Sequence, residues 1–166
     1  MPRVYISYRS SDAAAARALY QRAVMVYGVS QVLVNPEVYL PQHRQMGEYI
    51  AQQMSTCQQA FIMIGPEWTG IDDLGCLRLS PADEPVHSEV ATALEHVPQI
   101  VPVLVNGIRG LPAPDELPED FHGLYKWTPV VMRDLNDLNQ LIHPPTLFHS
   151  LRYMIGFEWL RLTPIQ

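Results

Sequence analysis

Residues 60–64, Ala60-Phe61-Ile62-Met63-Ile64, are apolar at every position. A strand with one wet face alternates apolar and polar side chains. An unbroken apolar run is instead a strand buried on both faces, as in a parallel sheet covered by helices above and below. Gly65-Pro66 mark its end.

The pattern on either side of this run repeats the same theme. Arg3 to Ser7 (RVYIS) is a short β-branched and aromatic run that predicts a first strand. Ser10, Ser11 and Asp12 offer an N-cap to a helix over Ala13 to Tyr27, with Leu19, Ala23 and Val26 on its inner face and Gly28 as its stop. Gln31 to Val34 predicts a second strand, Asn35 to Gln45 a polar loop, and Met46 to Ser55 an amphipathic helix carrying Met46, Ile50 and Met54. Beyond residue 65 an irregular stretch runs to about Asp83. A helix then covers Pro85 to Glu95, with Pro85 tolerated in the first turn. Gln99 to Leu104 predicts a fourth strand, in which Pro102 points to an edge position or a bulge. A loop over Val105 to Gly123 precedes a short fifth strand at Leu124 to Trp127. The tail reads as two helices, Asp134 to Ile142 and Thr146 to Leu160, parted by Pro144-Pro145. Alternation of this kind gives parallel strands joined by right-handed crossovers, with ligands at the carboxyl ends of the strands.

The 166 residues fit one domain, and a chain of this size buries about 70% of its unfolded surface without staples. Net charge is −6, with no basic cluster, which argues against phosphate backbones or anionic lipids as partners. Cys57 and Cys76 form no CxxC pair and read as reduced thiols. The opening MPRVYISYRS carries no apolar leader, and no apolar stretch reaches the roughly 20 residues that span a bilayer. The expectation is a cytoplasmic protein.

Several chemistries are excluded by missing motifs. Neither GxxxxGK[ST] nor GxGxxG follows a strand, GxSxG is absent, and the six histidines show no HExxH or paired metal spacing. Each histidine reads as a surface or loop residue. A phospho-receiver needs an aspartate ending the third strand, where Ile64-Gly65 stand instead. What remains is the set of segments expected at the carboxyl edge: Tyr8-Arg9-Ser10, the 35–45 loop, and DEPVHSEVATALEH. On that helix Val86, Val90, Ala93, Leu94 and Val97 form an apolar stripe. At about 100° per residue Glu89 falls on the flank of the stripe, so its carboxylate is partly desolvated. The helix dipole lowers its pKa and desolvation raises it, which leaves its protonation state open.

SYRSSD after a first strand, a second loop ending in LPQ, FIMIGPEW, and VHSEVATALEH followed by QIVPVLVNG together resemble the TIR (Toll/interleukin-1 receptor) domain family, in order and spacing from Val4 to about Trp127. The resemblance implies a flavodoxin-like three-layer α/β fold, with a short, mostly parallel sheet of about five strands flanked by helices. The core would be 3–127, followed by a C-terminal helical segment at 134–161. It also implies NAD⁺ cleavage by a glutamate near the start of the fourth-strand crossover helix, for which Glu89 is the matching position. NAD⁺ is then substrate, with no cofactor and no metal. Departure of nicotinamide builds oxocarbenium-like charge on the ribose, which one carboxylate can stabilise, and the cationic leaving group requires no general acid. Arg9, with Tyr8 and Ser10, would bind phosphate or ribose. Trp68 would stack on nicotinamide or adenine, and Asn35 and Leu40 would complete the substrate-binding set. Tyr39 and Leu40 would form the tip through which the 35–45 loop meets another copy or another TIR domain, and a separate sensor or effector protein is a further possible partner. The sequence departs from the family's hydrolases at Pro85, Asn35 and Gln42. Two alternatives stay open, a non-catalytic TIR interaction module and a nucleoside deoxyribosyltransferase-like enzyme.

Overall fold

A computed structural model describes residues 3–34, 50–70, 79, 85–134 and 136–142. The elements are β1 (Val4–Ser7), a 3₁₀ turn (Ser10–Asp12), α1 (Ala13–Tyr27), a second 3₁₀ turn (Val29–Gln31) and β2 (Val32–Val34). Next come the end of α2 (50–54), β3 (Gln59–Ile64), α3 (Pro85–His96) and β4 (Ile100–Leu104). Two further 3₁₀ segments (Pro114–Glu116 and Glu119–Lys126), β5 (Val130–Val131) and α4 (Asp137–Leu141) follow. The 35–45 loop, the start of the second expected helix, Cys76 and the tail helix over Thr146 to Leu160 lie outside the described residues.

The five strands form one sheet in the order β2-β1-β3-β4-β5, and every pairing is parallel. The α/β class is therefore as expected. Alternation along the strands separates two cores. Val4, Ile6, Phe61, Met63 and Val103 face Ala16, Leu19, Ala23 and Tyr27 of α1, together with Leu141 and Ile142. Tyr5, Ala60, Ile62, Ile64, Ile100 and Leu104 face Val86, Val90 and Ala93 of α3, Ile50 and Met54 of α2, and Phe121 and Leu124. The inner stripe of α1 is shifted from expectation: Tyr27 is buried and Val26 only half-buried. Gly28 ends α1 at φ 91°, ψ 149°, a region that side-chain-bearing residues avoid. A Cβ there would meet nothing within 4 Å. Gly28→Ala therefore isolates backbone strain, and urea unfolding is expected to show a loss of about 1–3 kcal/mol.

Three expectations are corrected. The Leu124 to Trp127 stretch is not a strand but the end of the Glu119–Lys126 3₁₀ segment, and β5 comes later. Its apolar residues Phe121, Leu124 and Trp127 recur every third position, the period of a 3₁₀ helix rather than of a strand. β4 is neither an edge nor bulged at Pro102, which stands opposite Ile62 in the β3 ladder. Gln99 accepts from Ala60 and Val105 donates to Ile64, so odd residues of β4 bond β3, while Leu104 accepts from Met132 on the β5 side. The missing N–H of Pro102 thus points toward β5, whose pairing begins only at Val103. No ladder bond is lost. Finally, Asp12 holds the N-cap position of α1 but makes no side-chain cap bond; its carboxyl turns inward instead.

Cys57 is 2% exposed, and burial pushes its thiol up to about 11 against the weaker opposing pull of Arg3 and a bond to Thr56. Native protein at pH 8 is expected to leave Cys57 unalkylated by iodoacetamide in peptide mapping, with labelling appearing only on unfolding.

Candidate functional site

In the order 2-1-3-4-5 the strand order reverses between β1 and β3, with β2 added on one side of β1 and β3 to β5 on the other, and the crevice outside the carboxyl ends of those strands is where such folds take ligands. β1 ends there with Ser7, opposite Ile62 of β3. Because Tyr5 faces the α3 layer, the two-residue period of the strand carries Ser7 to that face as well. Its hydroxyl donates to Glu89 Oε2 at 2.7 Å. Ser7 is 1% and Glu89 0% exposed. A carboxylate removed from water this completely is costly unless hydrogen-bonded. Glu89 is more deeply buried than its flanking place on the α3 stripe predicts. In this conformation its carboxylate is enclosed, so contact with a substrate requires local opening.

The same half of α3 carries His87, 8% exposed. Its Nδ1 faces the Leu79 carbonyl, its Nε2 lies 2.8 Å from Asp120 Oδ2, and its ring packs on Phe121 at 5.0 Å between centroids. The expectation of a surface or loop histidine fails here. His87 ties α3 to residue 79 and to the Glu119–Lys126 segment. Two turns of 100° separate it from Glu89, which leaves the carboxylate to the sheet side.

The remaining predicted residues divide. Arg9 is half-buried at the carboxyl edge and donates from Nε to the Trp68 carbonyl at 2.7 Å, joining the segments that follow β1 and β3. Ser10 is exposed at the start of its 3₁₀ turn. Tyr8 packs in the α1 core, across the sheet from Glu89, because it lies one residue out of phase with Ser7. Trp68 is 0% exposed, with its ring 5.8 Å from that of Phe121. It is core, and offers no face for a base to stack on. Asn35 and Leu40 lie outside the described residues. Ser7 went unnoticed in the sequence, although alternation from Tyr5 was the available signal.

A second cluster braces the edge. Asp12, 1% exposed, accepts from Asn106 Nδ2 at 2.7 Å and from the Gly65 N–H, which links the segments after β1, β3 and β4. Asn106 itself adopts φ 54°, in the left-handed region that asparagine tolerates. Burial raises the Asp12 pKa above the usual carboxylate range. Repulsion from Glu67 adds to this, while the Asn106 bond, Arg9 and the Gly65 N–H oppose it. A raised acid favours the folded state most when protonated. Its contribution is full below the unfolded value and is lost as pH rises through the folded one. Relative to Asp12→Asn, which cannot ionise, wild type should lose urea resistance across that acidic interval and then level off. A difference independent of pH would contradict the assignment.

A cavity of about 470 Å³ opens on the α1 face beyond β4 and β5, between Ala15, Ala18, Asn106, Ile108, Met132 and Arg133. Glu89 does not line it. Among the described residues no three His, Cys, Asp or Glu side chains gather as a metal site requires, and no helix is long and apolar enough to cross a membrane.

No protein-family model matches the chain, and no curated protein matches it. A solved structure of the CMP N-glycosidase BcmB of Clostridium botulinum is similar at a TM-score of 0.45 and 12% identity, over 84% of this chain and 97% of that one. It is a distant likeness.

Proposed function

We propose that this chain is an NAD⁺ glycohydrolase of the TIR type, releasing nicotinamide and forming ADP-ribose or a cyclic isomer of it, in defence or signalling. The observation that carries the reading is a single carboxylate, Glu89, fully desolvated and hydrogen-bonded by Ser7 beside the β1–β3 switch point.

Cleavage of the ribose C1′–N bond sends its electron pair to the pyridinium, which leaves as neutral nicotinamide. Positive charge develops at C1′ and the ring oxygen, where an ionised Glu89 supplies electrostatic stabilisation in a low-dielectric setting. Water then adds to C1′ and loses a proton, or an adenine nitrogen of the same molecule attacks to close the cyclic product. Arg9 and Ser10 serve the pyrophosphate at the same edge, with Arg9 oriented by its bond to the Trp68 carbonyl. Tyr8 and Trp68, packed in the cores on either side of the sheet, are given no contact with substrate in this reading. Assembly through the 35–45 loop belongs to this reading as the step that opens and completes the site.

The test is nicotinamide release from NAD⁺, followed by chromatography at increasing protein concentration. Release that grows more than proportionally with concentration supports an assembled hydrolase. No release at any concentration, crowding agent included, removes the reading.

A further inference from the structure

We infer that Ser7 is the positioning residue of the Glu89 carboxylate: its hydroxyl, held at the end of β1, fixes Oε2 in one orientation and favours the ionised form. The kinetic consequence rests on the glycohydrolase reading; the effect on the carboxylate does not.

The two residues are 82 positions apart and meet at 2.7 Å with both side chains buried. Ser7 is locked by the parallel ladder, since it stands in register with Ile62. Its side chain has one heavy-atom torsion, so a rigid backbone fixes the hydroxyl closely. Glutamate has three torsions and gains its orientation from the partner it bonds. The buried cluster on this face of the sheet holds Ala60, Ile62, Ile64, Val86 and Val90 together with Tyr5, so the Ser7 hydroxyl stands in a largely apolar layer. In such surroundings a donor to a carboxylate is stronger than in water, and it favours the charged form against desolvation. The charged form is the one that stabilises a developing oxocarbenium. Among the titratable groups described on this face, Tyr5 of β1 and Cys57 belong to the same buried layer, while His87 of α3 is held by Asp120 of the Glu119–Lys126 segment and by the Leu79 carbonyl.

The experiment compares wild type, Ser7→Ala and Ser7→Thr by ¹³C NMR of labelled glutamate carboxyls, with Glu89→Gln to assign the resonance, and by kcat and KM for nicotinamide release. Ser7→Ala should move the Glu89 ionisation midpoint up by about one pH unit or more, the effect of losing a hydrogen bond to a charged group. It should lower kcat tenfold to a hundredfold, with KM within twofold. Ser7→Thr, which keeps the hydroxyl, should restore both toward wild type. If Ser7→Ala does not fold, Ser7→Cys supplies a weaker donor of similar size, and a smaller rise is expected. An unchanged midpoint in a folded variant overturns the assignment. Should wild type release no nicotinamide, the glycohydrolase reading falls, while the titration still decides the role of Ser7.

Discussion

Glu89→Gln should lower nicotinamide release about a thousandfold, the upper range for removing one electrostatic element aimed at transition-state charge. Glutamine keeps the length and leaves an amide oxygen to accept from Ser7, so the buried hydroxyl stays satisfied and the fold survives. What disappears is negative charge, at a carboxylate that is 0% exposed before the site opens. Glu89→Ala would confound this by leaving a cavity and an unpaired Ser7 hydroxyl, with an added stability loss of about 1–3 kcal/mol. The informative outcome is therefore a folded Glu89→Gln protein with an unchanged unfolding midpoint and no measurable turnover. Release within a few-fold of wild type would make Glu89 a structural carboxylate and sink the site.

The largest expected loss of stability comes from Gly65→Ala. A Cβ at this position would lie 2.5 Å from the Asp12 Cγ, well inside contact. The carboxyl has no room to retreat, being 1% exposed and held by Asn106 and by the Gly65 N–H itself. Either the end of β3 or the Ser10–Asp12 turn must shift, breaking buried hydrogen bonds as it does so. A loss of about 3 kcal/mol or more is expected in urea unfolding. Shortening the partner tests the cause. Asp12→Ala alone should destabilise through its lost bonds, but in the Gly65→Ala background it should restore stability, with a coupling above about 1 kcal/mol in the double-mutant cycle. Additive losses would show that the clash is not with Asp12.

The fold was legible because its strongest signals are periodic. An unbroken apolar β3 announces two covered faces, and each helix between strands announces a parallel crossover. The weak points were those where period gave way to partner. Pro102 looks wrong for an internal strand until the direction of its missing N–H is known, and that depends on how short β5 is. The Leu124 to Trp127 stretch resembles a strand in composition, yet its spacing is three. The flank position of Glu89 beside the α3 stripe was legible from the helical period, and its role came from the resemblance; its complete burial was not legible, because that depends on what α3 packs against, Ser7 at 82 residues' distance included. Trp68 was misjudged because proximity to a site in sequence says nothing about which way a ring faces. His87 was misjudged because its two acceptors, the Leu79 carbonyl and the Asp120 carboxylate, come from separate parts of the chain.

The opposed destinations of Ser7 and Tyr8 have a consequence for how such a chain can change over time. The hydroxyl reaches Glu89 only because β1 delivers it on an even count from Tyr5, while the next residue goes to the α1 core. Deleting a single residue within Val4–Ser7 would invert that count and present the Tyr8 ring where a hydroxyl belongs, and inserting one would carry the Ser7 hydroxyl to the opposite face. The exposed bend at Arg109 and Gly110, beyond β4, carries no such parity constraint. Length variation in a lineage carrying this chemistry is therefore expected to spare the first strand and accumulate in turns, so β1 acts as a reading frame for the site.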